Sequence, residues 1–428
     1  MKFLLNMNNP ITNHQKEIAI KAIQKKLVGK KLTYKEIYAI MDEIAHERLS
    51  DILTTYFVAS SFKEGYNDEE LYFFTKAMVE TGNRLKFKGI VTDKHSVGGI
   101  AGTRTTMIVV PIVAAAGYKI PKISSRAITT PAGTADVMEA IANVDFSTDK
   151  ITKIINTVGG CIVWNGKLNI APADDIIIRV EEPLMFESFD KIIISVMSKK
   201  VAAGTTHLVL DLPYGKTAKI HRLSDAQQVA KKFETLAKKF NIKVAFDINE
   251  MLEPAGRGIG PILEARDVLY VLEQHVDRPL RLEAKAIRLA ALLLDLCFKE
   301  EKKYLNGEEE AKRILKSGLA LKKFQEIVVA QGGEKEIKSS KLKLAKYKKD
   351  IISPISGKIK DINNYNLNTI AKILGAPKDK QAGIYLHKKI DHAVSKNESM
   401  MTFYTNDQYL LKEAEITLDN LPIFNIEH

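Results

Sequence analysis

Between about residue 86 and residue 274, short apolar runs alternate with longer runs of helical pattern. This alternation constrains the fold more than any other feature of the chain. Residues 118–123, 161–164, 208–212 and 243–248 read as strands, and 105–116, 148–157, 225–240 and 264–274 read as helices. Buried strands separated by helices pair in parallel, because each helix carries the chain back across the sheet. The expected class is α/β with a mainly parallel sheet. Ligands of such sheets bind beyond the carboxyl ends of the strands.

The flanks differ in character. The first ~75 residues read as amphipathic helices, with apolar spacing through Ile37, Ile40, Met41 and Ile44. Thr33 with Glu36, and Asn67 with Glu70, have the spacing of capping boxes. The lysine-rich stretch 335–350 reads as a linker or an exposed helix. Beyond it, 352–359 and 382–389 carry turn residues and alternation that predict a small β-rich domain.

Two loops carry the chemistry. The first runs Asp93-Lys94-His95-Ser96-Val97-Gly98-Gly99 and continues through Gly102-Thr103-Arg104-Thr105-Thr106. The second runs Ser124-Ser125-Arg126-Ala127-Ile128-Thr129-Thr130-Pro131-Ala132-Gly133-Thr134-Ala135-Asp136. Each combines glycine, hydroxyls and a cation between a strand-like and a helix-like run. Such loops present N–H groups, hydroxyls and positive charge to one anion. They are neither the dinucleotide fingerprint nor a P-loop, which ends in Gly-Lys-Ser/Thr. A free phosphate or a phosphorylated ligand is the expected occupant. The bland alternative is a pair of helix caps with no ligand.

Composition sets limits. A chain of 428 residues, 45% hydrophobic and 27% charged, is expected to hold two or three ordinary domains. Neither 107–117 nor 289–297 reaches the ~18–20 apolar residues of a membrane span. The short run Phe3-Leu4-Leu5 is too short to read as a signal peptide. Cys161 and Cys297 form no metal or redox pattern and read as buried. A cytoplasmic protein without membrane contact is expected. The net charge of +12 is spread rather than striped, so no nucleic-acid partner is expected, although the field favours anionic substrates.

The two loops, with Ala171-Pro172-Ala173-Asp174 downstream, resemble the thymidine phosphorylase family, with wording close to its AMP phosphorylase branch and the related bacterial type 2 thymidine phosphorylases. The resemblance spans about residues 15–415. It implies a small α domain in two parts (1–80 and 166–203), an α/β domain in two parts (81–165 and 204–345), and a C-terminal hammerhead-like β-rich domain (346–428). It places the active site in the cleft between the α and α/β domains. It also implies a homodimer formed through the N-terminal helices, where Ile52, Leu53, Tyr56 and Phe57 are candidates.

By that resemblance, Lys94, Ser96, Gly98, Gly99, Thr105, Thr106, Ser124 and Thr134 hold phosphate. The first loop is one residue longer than in the commoner members, so the role falls to either Thr105 or Thr106. Ser125, Arg126, Ala127, Ile128, Thr129, Thr130, Ser195, Lys199 and Lys219 border the substrate. Arg126 either reaches the ligand or braces its loop. His95 either bonds the base carbonyl or braces the first loop. Ser195 and Lys199 share a helix face at i, i+4 spacing. Glu187 matches the proton-donating carboxyl of the AMP phosphorylase branch, on a longer arm. The arginine that grips a pyrimidine is replaced by Glu181, with Arg179 two residues out of register. Only about fifteen residues precede the first helix, so the extra N-terminal domain of AMP phosphorylases is expected to be absent.

The expected reaction is phosphate-dependent cleavage of an N-glycosidic bond to free base and a sugar 1-phosphate. The default substrate is thymidine or another pyrimidine nucleoside. The alternative is AMP, yielding adenine and ribose 1,5-bisphosphate. A more distant reading is an anthranilate-phosphoribosyltransferase-like enzyme. No metal or cofactor is expected, with inorganic phosphate as co-substrate.

Overall fold

Side-chain caps start the first helices at the positions that the sequence marks. In the computed structural model, which describes residues 10–127, 130–166, 168–181 and 188–427, Thr33 and Asn67 both close full capping boxes with Glu36 and Glu70. In chain order the elements begin with α1 (Pro10–Leu27), α2 (Tyr34–Ala45), α3 (Asp51–Glu64), α4 (Asp68–Glu80), β1 (Thr92–Ser96), α5 (Thr106–Ala115) and β2 (Ile120–Ser124). Then come α6 (Thr134–Glu139), α7 (Thr148–Val158), β3 (Gly160–Trp164), α8 (Pro172–Glu181), α9 (Phe189–Ala202), β4 (His207–Tyr214) and α10 (Leu223–Lys239). They are followed by β5 (Lys243–Glu250), β6 (Gly258–Ile259), α11 (Pro261–Leu272), α12 (Leu280–Glu300), α13 (Gly307–Lys316) and α14 (Leu319–Ala330). The chain closes with β7 (Tyr347–Ile352), β8 (Gly357–Ile362), α15 (Asn364–Ile373), β9 (Gly383–Leu386), β10 (Ala393–Val394), β11 (Ser399–Thr405), α16 (Gln408–Asn420) and β12 (Phe424–Glu427).

The chain divides into two compact units. The first is helical and takes the residues up to Lys88, Leu168–Thr206 and Gln228–Lys243. Its core is the apolar face of α2 (Ile37, Ile40, Met41, Ile44) with Leu71, Phe74 and Met78 of α4. A buried pair, Lys26–Glu70 at 2.9 Å, ties α1 to α4. The three chain segments meet at Asp190 in the first turn of α9. Its carboxylate accepts from Tyr66 N (2.8 Å) in the first segment and from the Lys232 ammonium in the third. Gly65 makes the approach possible: its φ is +63°, and a Cβ there would stand 2.8 Å from Asp190 Oδ2.

The second unit takes Gly89–Lys167, His207–Gln227 and Val244 onward. Strand β1 pairs in parallel with β4, setting Lys94 opposite Val209 and Ser96 opposite Asp211. Strands β2 and β3 pair in parallel, and a parallel bridge between Val91 and Lys119 brings β1 beside β2. Strand β5 lies on the far side of β4. Helix α5 is buried from Met107 to Ala114, which explains its uniformly apolar sequence; α12 and α14 pack on it. Cys161 and Cys297 are both buried and free. The C-terminal part holds two sheets, ordered β6-β9-β11-β7 and β10-β8-β12, around Ile359, Leu367, Ile370 and Phe403.

Two expectations need correction. The stretch 335–350 forms no exposed helix. Only a 3₁₀ turn, Ser339–Lys341, interrupts it, and its end is the start of β7. Lys94 does not lie in a glycine-rich loop but inside β1, at 1% exposure. No helix among the described residues is long and apolar enough to cross a membrane.

Candidate active site

Residues two apart in a strand share a face. On β1 this puts Lys94 and Ser96 side by side, with His95, half-buried, on the other face. The Lys94 ammonium donates to Ser96 Oγ (2.6 Å), Thr105 Oγ1 (2.9 Å) and Thr106 Oγ1 (3.3 Å). Thr105 occupies the N-cap of α5 yet makes no side-chain cap bond. Its hydroxyl serves Lys94 instead. Both candidate threonines therefore reach the same ammonium.

A buried charge network stands behind this group. Ser96 Oγ donates to Asp211 Oδ2, and Asp211 Oδ1 takes Lys285 Nζ at 2.8 Å. Lys285 also donates to Asn249 (2.9 Å) and lies 3.6 Å from Asp247, which Arg288 grips through two hydrogen bonds. Lys122 Nζ donates to the Lys94 carbonyl at 2.9 Å and lies 3.5 Å from Asp93. Arg104 pairs with buried Glu264 at 2.7 Å. Lys94 has no carboxylate in direct contact: Asp211 lies 4.0 Å away and is held at 2.8 Å by Lys285. Burial pushes the Lys94 ammonium down to about 8, against the pull of Asp211 at 4.0 Å, with Lys285 and Arg104 adding to the depression. Burial also opposes the charge of Asp211, but Lys94 and Lys285 hold its carboxyl below the usual range.

The second loop is joined through Arg104, which donates to Thr134 Oγ1 (3.1 Å) and the Ala132 carbonyl (2.8 Å). Ser124 ends β2, at the same end of the sheet as Ser96, but its hydroxyl turns to the Ser125 carbonyl (3.4 Å) rather than to Lys94. Arg126 braces its own loop. It forks onto Glu139, approaches Asp136 at 3.4 Å and lies 4.5 Å over the Trp164 ring. Asp136 accepts from Ala127 N (2.7 Å) and Gly133 N (2.9 Å), closing the loop. Gly133 has no substitute, because a Cβ would stand 2.6–2.8 Å from the backbone of 125–127. Ser125 is exposed, and Thr130 donates to the Ala132 carbonyl at 3.0 Å. Gly98 faces open space, whereas Gly99, at φ +109°, lies against the Lys219 backbone. Ile128, Thr129 and Glu187 fall outside the described residues.

A second cluster sits in the helical unit. Ser195 Oγ donates to Asp174 Oδ2 (3.0 Å), and Lys199 Nζ lies 2.5 Å from the same oxygen and 3.3 Å from Ser195 Oγ. Burial opposes the charge of Lys199, but Asp174 outweighs it and raises its pKa. The turn before α8 puts Asn169 and Ala171 at positive φ (50° and 53°). Asn83 holds it, donating from its backbone to the Asn169 carbonyl (2.7 Å) and from its side chain to the Leu168 carbonyl (2.9 Å). Glu181 pairs with Lys191 at 2.7 Å, and exposed Arg179 turns to Asp51 at 3.1 Å.

Sequence reasoning missed Asp211, Lys285, Asp247, Arg288 and Arg104. Only Asp211 carries a local signal, as a lone carboxylate in the apolar run Leu208-Val209-Leu210-Asp211-Leu212. Among the described residues, no group of three or more His, Cys, Asp or Glu side chains is arranged to hold a metal.

Known proteins place this geometry. Residues 20–82 match the helical bundle domain of the glycosyl transferase family and residues 88–321 its a/b domain. Residues 358–421 match the pyrimidine nucleoside phosphorylase C-terminal domain. The chain is 41% identical over 401 residues to an AMP phosphorylase of Methanococcus maripaludis, covering 94% of this chain and 79% of that protein. It is 41% identical over 404 residues to the AMP phosphorylase of Methanocaldococcus jannaschii, with 94% and 80% covered. It is 40% identical over 407 residues to AMP phosphorylase 1 of Archaeoglobus fulgidus, with 95% and 80% covered. Anthranilate phosphoribosyltransferase from Thermus thermophilus shares the fold at a TM-score of 0.60 and 18% identity, over 72% of this chain and 99% of its own. With the a/b domain matched over more than half its length and its AMP phosphorylase relatives aligned over nearly all of it, the chain belongs to the thymidine/AMP phosphorylase family of pentosyltransferases.

Proposed function

We propose that the protein cleaves AMP with inorganic phosphate to adenine and ribose 1,5-bisphosphate. The observation that carries the phosphorolytic reading is the Lys94 ammonium, buried among three hydroxyls with its nearest carboxylate, Asp211, 4.0 Å away and shared with Lys285. A phosphate anion answers that charge, and the hydroxyl protons of Thr105 and Thr106 turn toward its oxygens. Held there, phosphate reacts as an oriented nucleophile, and orientation with electrostatic stabilisation supplies most of the catalysis. A phosphate oxygen bonds to C1′ as the C1′–N bond breaks. The bonding pair leaves with the base, which takes a proton. Lys199, Ser195 and Asp174 are assigned to the base, and Glu187 to the proton.

AMP is favoured over a pyrimidine nucleoside by the names of the relatives and by one local feature. Where a pyrimidine-gripping arginine would stand there is Glu181, paired with Lys191. The pyrimidine reading keeps one supporting observation, the match of the C-terminal domain to pyrimidine nucleoside phosphorylases. The deciding experiment incubates the protein with phosphate and AMP, thymidine or uridine, and separates the released bases. Adenine release from AMP is the expected result; thymine or uracil release without adenine would overturn it. The reaction is expected to survive excess EDTA, unlike a magnesium-dependent phosphoribosyl transfer.

A homodimer through the N-terminal helices is part of the same proposal. Ile52 (70% exposed) and Tyr56 (54% exposed) are available for such a contact, whereas Phe57 is buried within its own unit. A monomeric mass at micromolar concentration in light scattering would refute it.

A further inference from the structure

The second unit contains a cavity of about 640 Å³ away from Lys94, bounded by α11, the 276–281 segment, β9 and β11. Its size falls within the ~300–1,000 Å³ of small-molecule sites. Its wall is cationic. Arg257, Arg266, Arg278, Arg281 and Lys389 line it, and Asp277 is its one lining carboxylate. Arg278 pairs with Glu283, Arg281 with Glu253, and Lys389 stands 4.0 Å from Glu253. Arg257 and Arg266 have no carboxylate within ion-pair distance among the described residues. Arg257 donates to the carbonyls of Leu386 (3.3 Å) and His387 (2.8 Å). Arg266 lies 4.5 Å over the Tyr385 ring, and its buried Nε has no hydrogen-bond partner.

The rest of the lining is aromatic and apolar. Tyr270, Tyr385 and Tyr404 contribute rings, and Val276 (84% exposed) and Leu280 (64% exposed) form an apolar rim. Paired arginines beside tyrosines and an apolar lip suit a ligand with a phosphate head and a flat ring. The wall is also tied to the phosphate loops. Helix α11 carries Arg266 to the cavity and Glu264 to Arg104. Asp267, next to Arg266 on the helix, accepts from Arg257 N (2.6 Å) and Gly258 N (2.7 Å). Gly256 N then donates to the carbonyl of Gly102, in the first loop, at 2.7 Å.

We propose that this cavity is a second binding site, separate from the Lys94 centre, that takes a nucleoside phosphate and reports its occupancy to the phosphate loops. The site does not depend on which nucleoside or nucleotide is the substrate.

The test is calorimetric titration of the whole protein with ATP, beside inorganic tripolyphosphate as the anion without the nucleoside. Wild type is expected to bind ATP saturably and tripolyphosphate at least about ten-fold more weakly, because only ATP engages the aromatic wall. Arg266→Gln should weaken ATP binding by about ten-fold or more, the scale of a lost charged hydrogen bond. Leu280→Glu, at an exposed rim position that leaves the fold undisturbed, should do the same by repulsion. Both variants should keep the wild-type phosphate KM and kcat without ATP, and Lys94→Ala should keep the ATP site. The proposal is overturned if wild type fails to bind ATP, if tripolyphosphate binds equally well, or if Lys94→Ala abolishes ATP binding while Arg266→Gln and Leu280→Glu retain it.

Discussion

Replacing Lys94 by methionine should disable the protein without destabilising it at neutral pH. The Lys94 ammonium is pushed from the usual 10.5 to about 8, chiefly by burial. That depression corresponds to about 3 kcal/mol held against the folded state at neutral pH. A methionine of similar length removes it. Asp211 keeps Lys285 at 2.8 Å, so no carboxylate is left unpaired, and Ser96 still donates to Asp211. Ser96, Thr105 and Thr106 each lose a donor, a loss of roughly 0.5–1 kcal/mol apiece. The balance is a gain of roughly 0–1.5 kcal/mol, a rise of at most a few degrees in Tm. Activity should fall by about 10²–10³-fold, with a raised phosphate KM, because the group that answers the phosphate charge is gone. The pH dependence separates this cause from others. Between pH 8 and 10.5 folded wild type binds fewer protons at this site than the unfolded chain, so its stability rises with pH relative to the mutant. The Tm advantage of Lys94→Met should therefore be full below pH 8 and disappear by about pH 10.5. Phosphate KM, kcat and Tm at the two pH values check the whole chain of reasoning. A mutant that is less stable at pH 7 and keeps its phosphate kinetics would refute it, and would make Lys94 a brace.

Three other outcomes follow from the Lys94 network, the brace of the second loop and the cluster in the helical unit. Asp211→Asn should destabilise by about 3–5 kcal/mol, since it leaves Lys94 and Lys285 buried without their shared carboxylate; an unchanged denaturation midpoint would contradict this. Glu139→Gln should lower stability by about 1–2 kcal/mol at neutral pH while leaving phosphate KM alone, because Arg126 braces the loop. The Arg126 fork holds the Glu139 carboxyl down at about 2, so the wild-type advantage should be full above pH 4.5 and lost as pH falls toward 2, readable from acid melts of both proteins. Lys199→Met should raise the KM for the nucleoside or nucleotide and spare the phosphate KM; an equal rise in both would remove Lys199 from the base assignment.

Legibility in the sequence followed chain distance. The capping boxes at Thr33 and Asn67, strands β2 to β5 and the buried α5 are written in local pattern, and they appear within a few residues of where that pattern predicts them, whereas β1 reads as loop. Lys94, Ser96, Thr105 and Thr106 were legible because they lie within thirteen residues of one another. The support behind them was not. Lys285 meets Asp211 from 74 positions away, and Glu264 meets Arg104 from 160. In sequence Lys285 is one lysine in an apolar helix and has nothing to distinguish it from a solvated one. The stretch 335–350, expected as a linker or an exposed helix, holds only a 3₁₀ turn before β7, an edge strand whose exposed Lys348, Lys349 and Asp350 are as compatible with solvent as a helix surface would be.

The three-segment helical unit sets an order of events during synthesis. A ribosome that has made the first 88 residues has released α1 to α4 with their apolar faces and no α9 to cover them. Asp190 follows Tyr66 by 124 positions, and Lys232 follows Asp190 by a further 42, so neither contact can form until those residues have been made. Closing loops of that length is entropically slow, so these contacts belong late on the folding route. Asp190→Ala should then speed unfolding and leave the refolding rate nearly unchanged, the behaviour of a group whose contacts form after the transition state. The nascent helices, waiting through the synthesis of the intervening 89–167 segment, are the stretch of this chain most exposed to aggregation and to capture by chaperones.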